Sequence, residues 1–295
     1  MKKITKEEMI EKMDEYLMAE KMDEKSENTM KHYRHVIEMF VNNTGDEITK
    51  MDIMKFKEYL ISRYKSKTVS NYIVVINKFI KYIEMTNEDE SKELSDLKEY
   101  RKSQMKIKNI KMQQVASLDE VLEPSDLKKM LRMAKKRDYE MYLVMRIFAY
   151  TGIRAEELKY FTVENIKSNY IQVRNKGKIR KVIMTNSLKN ELQKYCKEMD
   201  ITSGYIFRGK REGTMLHSTT VYKRLKKIAG VCRGIKLEKV HPHSFRHLFA
   251  VKFLKDGGTI NDLADILGHK NINTTMIYAR TTDKMKKEQL ERMKY

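Results

Sequence analysis

The spacing of apolar side chains constrains this chain more than any other feature. In KTVSNYIVVINKFIKYI, residues 67–83, Val69, Tyr72, Ile73, Ile76, Phe79, Ile80 and Ile83 recur every three or four positions. That is the period of one helix face, and a face so apolar has to be buried. Similar stripes precede it. One helix is expected from about Lys6 to Ala19. A second follows Ser26, where Ser26, Asn28 and Thr29 offer caps and Tyr33, Ile37 and Phe40 share a face, with Gly45 as its stop. A third starts near Thr49 and carries Ile53, Phe56 and Leu60. With 2 Pro and 11 Gly in 295 residues, and 22 Met among many Lys, Glu and Leu, little interrupts these patterns.

The fold class expected is mainly α: an N-terminal four-helix domain over residues 1–100, then a mixed, mostly helical domain over 118–295 with a small β-hairpin. Between them KEYRKSQMKIKNIKMQQ is weakly periodic and strongly basic. Residues 101–117 read as an exposed linker whose Arg101, Lys102, Lys106, Lys108 and Lys111 can lie along a phosphate backbone. The second domain opens with a helix at Pro124 and Ser125. YEMYLVMRIFAYTG is apolar nearly all round, so a core helix stopped by Gly152 is expected. In NYIQVRNKGKIRKVIMT the period changes, Ile171 alternating with Val173 and Val182 with Met184 around an NKGK turn at Gly177. Helices follow near 187–199, 218–230, 243–255, 259–267 and 273–279, with DGG at 256–258 as a stop and Thr259 as the next cap.

The formal charge is +20, and its distribution is uneven. Residues 1–112 carry 23 Lys and Arg against 21 Asp and Glu; residues 113–295 carry 38 against 20. A globular half so basic repels itself unless a polyanion is near, which makes nucleic acid the favoured partner over a merely well-solvated surface. No stretch approaches the roughly 20 apolar residues of a membrane helix, and the start MKKITKEEMIEKM lacks a signal-peptide apolar run. Cys196 and Cys232 have neither metal nor redox spacing. A cytoplasmic location is expected, with no membrane partner.

Several segments carry side chains suited to phosphate chemistry. In HPHSFRHL, Pro242 suits the first turn of a helix, so His243 stands at its positive end and Arg246 and His247 follow one turn on. A guanidinium fork binds two phosphate oxygens, and an imidazole donates a hydrogen bond or moves a proton. His241, His243 and His247 also permit a zinc reading, but no cysteine cluster or carboxylate accompanies them and Arg246 would repel a cation. In TGIRAEEL, Arg154 stands just past a buried helix end, with Glu157 placed to orient it; an ordinary surface ion pair is the plain alternative. Lys176 sits at the hairpin tip, where its ammonium can reach a leaving oxygen. Gly268 and His269 precede NTTMIYAR, whose Tyr278 is a nucleophile only if cations steady its phenolate.

Taken in order, Arg154, Lys176, His243, Arg246, His269 and Tyr278 resemble the tyrosine recombinase (phage integrase) family. The likeness spans roughly 117–285, none of the six positions departs from the pattern, and the N-terminal half is similar to that family's core-binding (SAM-like) domain. Length and layout resemble the short Xer-like and transposon or integron integrases, without room for an added arm-binding domain. The resemblance implies a C-shaped clamp on double-stranded DNA recombination sites. It implies attack by Tyr278 to give a 3′-phosphotyrosine, and two rounds of exchange through a Holliday junction held by a homotetramer. An accessory recombinase or directionality protein is a compatible further partner. It assigns Arg154 and Arg246 to the phosphorus charge, His243 to the phenol proton, Lys176 to the leaving oxygen and His269 to a phosphate hydrogen bond. Glu157 and His247 stand behind them as supports. No cofactor and no metal are implied. The tail TTDKMKKEQLERMKY is expected to form a helix packing on a neighbouring protomer or on its own. A type IB-like topoisomerase and a non-catalytic DNA-binding relative are the alternatives, the first generally lacking a histidine at the position of His243.

Overall fold

Short polar side chains start the first helices, because each helix leaves its first N–H groups without an intrahelical partner. The structure, a computed structural model, describes residues 4–88, 107–109, 122–175, 178–269, 271–279, 291 and 293. Thr5 caps α1 (Lys6–Met22): its hydroxyl accepts from the Glu8 N–H while the Glu8 carboxylate accepts from the Thr5 N–H. Ser26 caps α2 (Glu27–Asn42), and Thr49 with Asp52 forms a second reciprocal cap on α3 (Lys50–Arg63). α4 spans Ser66–Glu88. Gly45 does not end α2. The helix stops at Asn42, and Asn43 satisfies its final carbonyls, the main-chain N–H donating to Phe40 and the side-chain amide to Met39 at 2.8 Å.

The chain divides into two units, Met1–Val115 and Ala116–Tyr295. In the first, every apolar residue singled out on α4, from Val69 to Ile83, is buried. Phe40, Phe56 and Phe79 fill the centre, Phe40 meeting Phe56 edge-on with centroids 5.0 Å apart. Ile107 belongs to this core, contrary to the reading of its segment as an exposed linker. Asn77 on α4 holds it by both main-chain groups, at 2.8 and 3.0 Å, and Lys57 donates to the carbonyl of the exposed Lys108. An isolated apolar residue between cations gives no periodic signal, which is why its burial is invisible in the sequence. Arg101, Lys102, Lys106 and Lys111 lie outside the described residues, as does the rest of the 101–117 segment apart from 107–109.

In the second unit Pro124 is the first residue of α5 (Pro124–Arg137). α6 (Tyr139–Thr151) is enclosed by its neighbours, with Met141, Leu143, Val144, Met145, Ile147 and Phe148 all buried, and it ends on Gly152 in the left-handed conformation. After Arg154 a tight 3-10 turn covers Ala155–Tyr160. β1 (Tyr170–Asn175) pairs antiparallel with β2 (Lys178–Ile183), Ile171 opposite Val182 and Val173 opposite Arg180. The connecting turn at 176–177 lies outside the described residues. α7 (Asn186–Glu198) and α8 (Ser218–Gly230) complete the larger core.

α9 (Pro242–Lys255) lies on the seam between two cores. Phe245 and Leu248 face the larger one; Ala250 joins Leu263, Leu267 and Tyr278 in a smaller cluster beneath α10 (Ile260–Leu267) and α11 (Asn273–Ala279). A helix buried on two sides loses amphipathic periodicity. The expected stop at 256–258 is present: Gly257 has a positive φ of 95°, and a side chain on Gly258 would collide with the Phe253 ring. The tail from residue 280 is outside the described residues except at 291 and 293.

Candidate active site

Gly152 fixes one wall of the site. At φ +62° it reverses the chain after α6, and a Cβ there would fall 2.6 Å from the Phe249 ring and 2.9 Å from Leu267, so α9 and α10 can approach only a glycine. Its carbonyl then accepts from Arg246 Nη1 at 2.6 Å. Arg246 is 3% exposed, and its Nη2 donates to the Leu267 carbonyl at 2.8 Å and lies 2.9 Å from His269 Nε2. A guanidinium has five N–H hydrogens and no acceptor, so Nε and one Nη1 hydrogen remain outside these three contacts. Burial first, and then the charge of Arg154, pull its proton affinity down to about 10, which leaves it cationic at neutral pH.

His269 is held in one tautomer by its two neighbours. Arg246 can only donate, so Nε2 accepts and Nδ1 carries the proton, donating to Thr275 Oγ1 at 2.8 Å. Thr275 is fully buried. Burial, then the charges of Arg246, Arg154 and Arg180, hold the imidazole down to about 4, so it is neutral at pH 7.

Arg154 precedes the 3-10 turn and is partly exposed. Glu157, 1% exposed, accepts from the Arg154 N–H at 2.8 Å and from its guanidinium at 3.2 Å. The same carboxylate accepts from Arg180 Nη2 at 2.6 Å. Arg180 comes from β2 and was not singled out in the sequence, yet a signal was present. Positions 180, 182 and 184 share one face of the strand, where Val182 and Met184 are buried, whereas Ile179 and Ile183 are exposed. A cation in the inward register is the anomaly that marks it. Burial pushes its proton affinity down, Glu157 pulling it back up. Arg180 reaches the site by crossing Gly268, whose φ is +65° and whose missing Cβ would lie 2.5 Å from Arg180 Cδ.

Tyr278 sits among these cations, 8% exposed. Burial raises its proton affinity; Arg246, by charge and hydrogen bonding, and then Arg154 oppose that. Two imidazoles pack on its ring: His269 stacks at 6.3 Å and 16°, and His247 meets it edge-on at 5.2 Å. His247 is held down to about 4, chiefly by burial. His243 stands at the exposed lip of the pocket near the start of α9. Dehydration of its inner side, then Arg246 and Arg154, lower its proton affinity, while Glu156 opposes them. His241 caps α9, its Nδ1 accepting from the Ser244 N–H at 3.1 Å. Arg154, Arg246, His243, His269 and Tyr278 therefore meet in one pocket with Glu157 and His247 behind them; Lys176 lies outside the described residues. Chemically, the pocket offers a phenol, cations that favour an anion beside it, and neutral imidazoles able to accept a proton.

Comparison with known proteins places this chain among relatives. The phage integrase family model matches residues 120–285. A tyrosine recombinase XerA of Pyrococcus furiosus is 27% identical over 297 residues, covering 98% of this chain and 95% of that protein. A XerA of Saccharolobus solfataricus is 29% identical over 275 residues, covering 86% and 82%. The crystal structure of a XerA recombinase matches at 26% identity with TM-score 0.52, covering 98% of this chain and 99% of that one. The Tn1549 transposon integrase in complex with transposon right end DNA shares the fold at TM-score 0.70 and 18% identity, covering 94% and 98%.

Proposed function

On the premise that this chain belongs to the phage integrase family and is a site-specific DNA recombinase, we propose that Tyr278 is its nucleophile. The Tyr278 oxygen attacks a DNA phosphorus, the bond to the 5′ oxygen breaks, and a 3′-phosphotyrosine and a free 5′-hydroxyl result. One ester replaces another, so no nucleotide cofactor is consumed. The 5′-hydroxyl of a partner strand then attacks the phosphotyrosine, restores the DNA ester and returns the phenol. Two such rounds, passing through a Holliday junction held by four protomers, exchange both strands.

The observation that supports this best is the convergence of Arg154, Arg246 and His269 on a phenol from distant parts of the sequence. Arg154 and Arg246 stabilise the charge that grows on five-coordinate phosphorus, the largest electrostatic demand of phosphoryl transfer. His243, neutral at pH 7 and beside both arginines, takes the phenol proton. Lys176 gives a proton to the leaving 5′ oxygen. His269 as placed positions Arg246; to donate to the phosphate its proton must move to Nε2. Rotation of the Thr275 hydroxyl permits that, since it can donate to Nδ1 as readily as accept from it.

The partner is double-stranded DNA carrying recombination sites. A XerH recombinase bound to its difH substrate and a lambda integrase dimer bound to a core site share this fold. The basic residues Arg101, Lys102, Lys106, Lys108 and Lys111 contribute sequence-independent affinity. The site of action is the bacterial cytoplasm, in chromosome-dimer resolution or in movement of a mobile element, with an accessory recombinase or directionality protein compatible with either. No described helix is long and apolar enough to cross a membrane.

The test uses a nicked duplex that loses its 5′-hydroxyl fragment after cleavage and so traps the covalent species. The wild-type chain accumulates adduct with chelator present and without ATP, and Tyr278→Phe accumulates none. An adduct that survives in Tyr278→Phe places the nucleophile elsewhere. Plasmid relaxation without recombinant product from paired sites contradicts the exchange reaction.

A further inference from the structure

Glu157 presents a problem that the two catalytic arginines do not solve. It is 1% exposed, and an isolated buried carboxylate is strongly disfavoured. Its Oε1 accepts from the Arg154 guanidinium, and its Oε2 accepts from the Arg154 main chain and from Arg180. Were Arg154 its only cation, a phosphate could recruit that guanidinium only by abandoning a buried negative charge, which is costly. Arg180 removes the conflict. Its contact with Glu157 is the shorter of the two side-chain ion pairs, 2.6 against 3.2 Å, and its side chain is 11% exposed against 30% for Arg154. One cation is committed to the carboxylate; the other is loosely held and more open to solvent.

Formal charge leads to the same division. Among the described residues packed around Glu157 and Tyr278, Arg154, Arg180 and Arg246 bring three positive charges and Glu157 one negative, with His247 and His269 neutral. That excess of two, before Lys176 is counted, offsets a five-coordinate phosphorus carrying the charge of the phosphodiester and of the incoming phenolate. Without Arg180, Glu157 competes with the phosphate for Arg154. Two further features belong to Arg180 itself. Its buried Nη1 has no hydrogen-bond partner among the described residues. Gly268 leaves its path open, where any Cβ would fall within 2.5 Å of it.

We propose that Arg180 is a positioning residue for strand cleavage: by holding Glu157 it frees the Arg154 guanidinium to turn from that carboxylate to the scissile phosphate. The inference rests on the assignment of Tyr278 as nucleophile and adds a residue that the six-member set does not include.

The experiment measures single-turnover adduct formation on the nicked duplex at saturating full-length protein, together with DNA affinity and thermal unfolding. Arg180→Met lowers the cleavage rate at least tenfold with DNA affinity unchanged. Glu157→Gln in the Arg180→Met background restores at least a third of the wild-type rate, because the carboxylate that would hold Arg154 is gone; a residue that only filled space would show no such rescue. Arg180→Lys retains the charge and cleaves at least threefold faster than Arg180→Met. If Arg180→Met unfolds, the comparison of Arg180→Lys with the double variant decides, both having to cleave within thirtyfold of wild type. Wild-type cleavage by Arg180→Met, or a folded double variant no faster than the single one, overturns the proposal. If wild type forms an adduct lost in Tyr278→Phe while Arg180 variants cleave normally, only this inference falls. If wild type forms none on Tyr278, both fall.

Discussion

Gly268→Ala isolates the close crossing of Arg180 from the rest of the site. Gly268 has φ 65° and ψ 47°, a left-handed conformation in which a residue bearing a Cβ costs roughly 1–2 kcal/mol. The new Cβ would also lie 2.5 Å from Arg180 Cδ and 2.9 Å from Nε, against roughly 3.5–4 Å for an unstrained carbon contact. Arg180 cannot swing aside freely, because its Nη2 is held on Glu157 at 2.6 Å. Forcing it over adds roughly 1–3 kcal/mol, as for other overpacked sites. The sum, about 2–5 kcal/mol, lowers the melting temperature of a unit this size by roughly 5–15 °C. Gly257 supplies the control: its φ is +95° and nothing lies within 4 Å of its would-be Cβ. Gly257→Ala therefore carries only the conformational cost, about 1–2 kcal/mol. Circular dichroism melts and single-turnover cleavage of both variants give the comparison, with Gly268→Ala less stable and at least tenfold slower to cleave. Combining Gly268→Ala with Arg180→Ala costs less than the two changes separately, since the clash disappears. Equal stability of the two alanine variants with undiminished cleavage by Gly268→Ala refutes the reasoning.

Arg154→Ala retains DNA affinity but loses cleavage by about 10²–10³-fold, the usual consequence of removing a donor to a developing oxyanion; affinity falling in step would make Arg154 a docking residue instead. Thr275→Val leaves the His269 Nδ1–H unsatisfied in a buried site and lowers stability by about 1–3 kcal/mol in denaturant titrations; an unchanged midpoint contradicts the assigned tautomer. His247 and His269, both held down to about 4, bind protons more readily in the unfolded chain than in the folded pocket. Stability therefore falls as the pH drops from about 6.5 to about 4 and the histidine contribution levels off below that, each group adding roughly 1–2 kcal/mol after solvent screening. His247→Phe flattens that slope, and an equal slope in the variant contradicts the attribution. Neutralising Lys108 or another cation of 101–111 weakens binding across unrelated sequences and reduces the salt slope by about one unit; loss confined to one target sequence indicates base reading.

Where burial repeats with a helical or strand period, the sequence carried the fold. The α4 stripe from Val69 to Ile83, the enclosed α6 and the alternation of Ile171 with Val173 are each visible in a short window, and each is buried as the pattern requires. Pro124 and Gly152 mark helix ends because proline is preset for a first helical turn and glycine, lacking a Cβ, tolerates the left-handed stop. Gly45 failed as a stop because the asparagine before it satisfies the same carbonyls. Of the pocket, the sequence revealed residues whose types recur in a fixed order, but not those defined by contact alone. Thr275 matters only because His269 needs an acceptor six residues away, and Arg180 only because Glu157, far along the chain, needs a second cation. Gly268 could be named from the sequence as part of a motif, yet its reason, the side chain passing over it, exists only in three dimensions.

The most direct measurement is the chemical identity of the protein–DNA link. Protease digestion of the trapped adduct, followed by fragmentation mass spectrometry, locates the nucleotide remnant and its attachment. The account predicts a remnant on the Tyr278 oxygen, joined through a 3′ phosphate, with a 5′-hydroxyl on the released strand. A remnant on any other side chain, or a 5′ linkage on Tyr278, contradicts it.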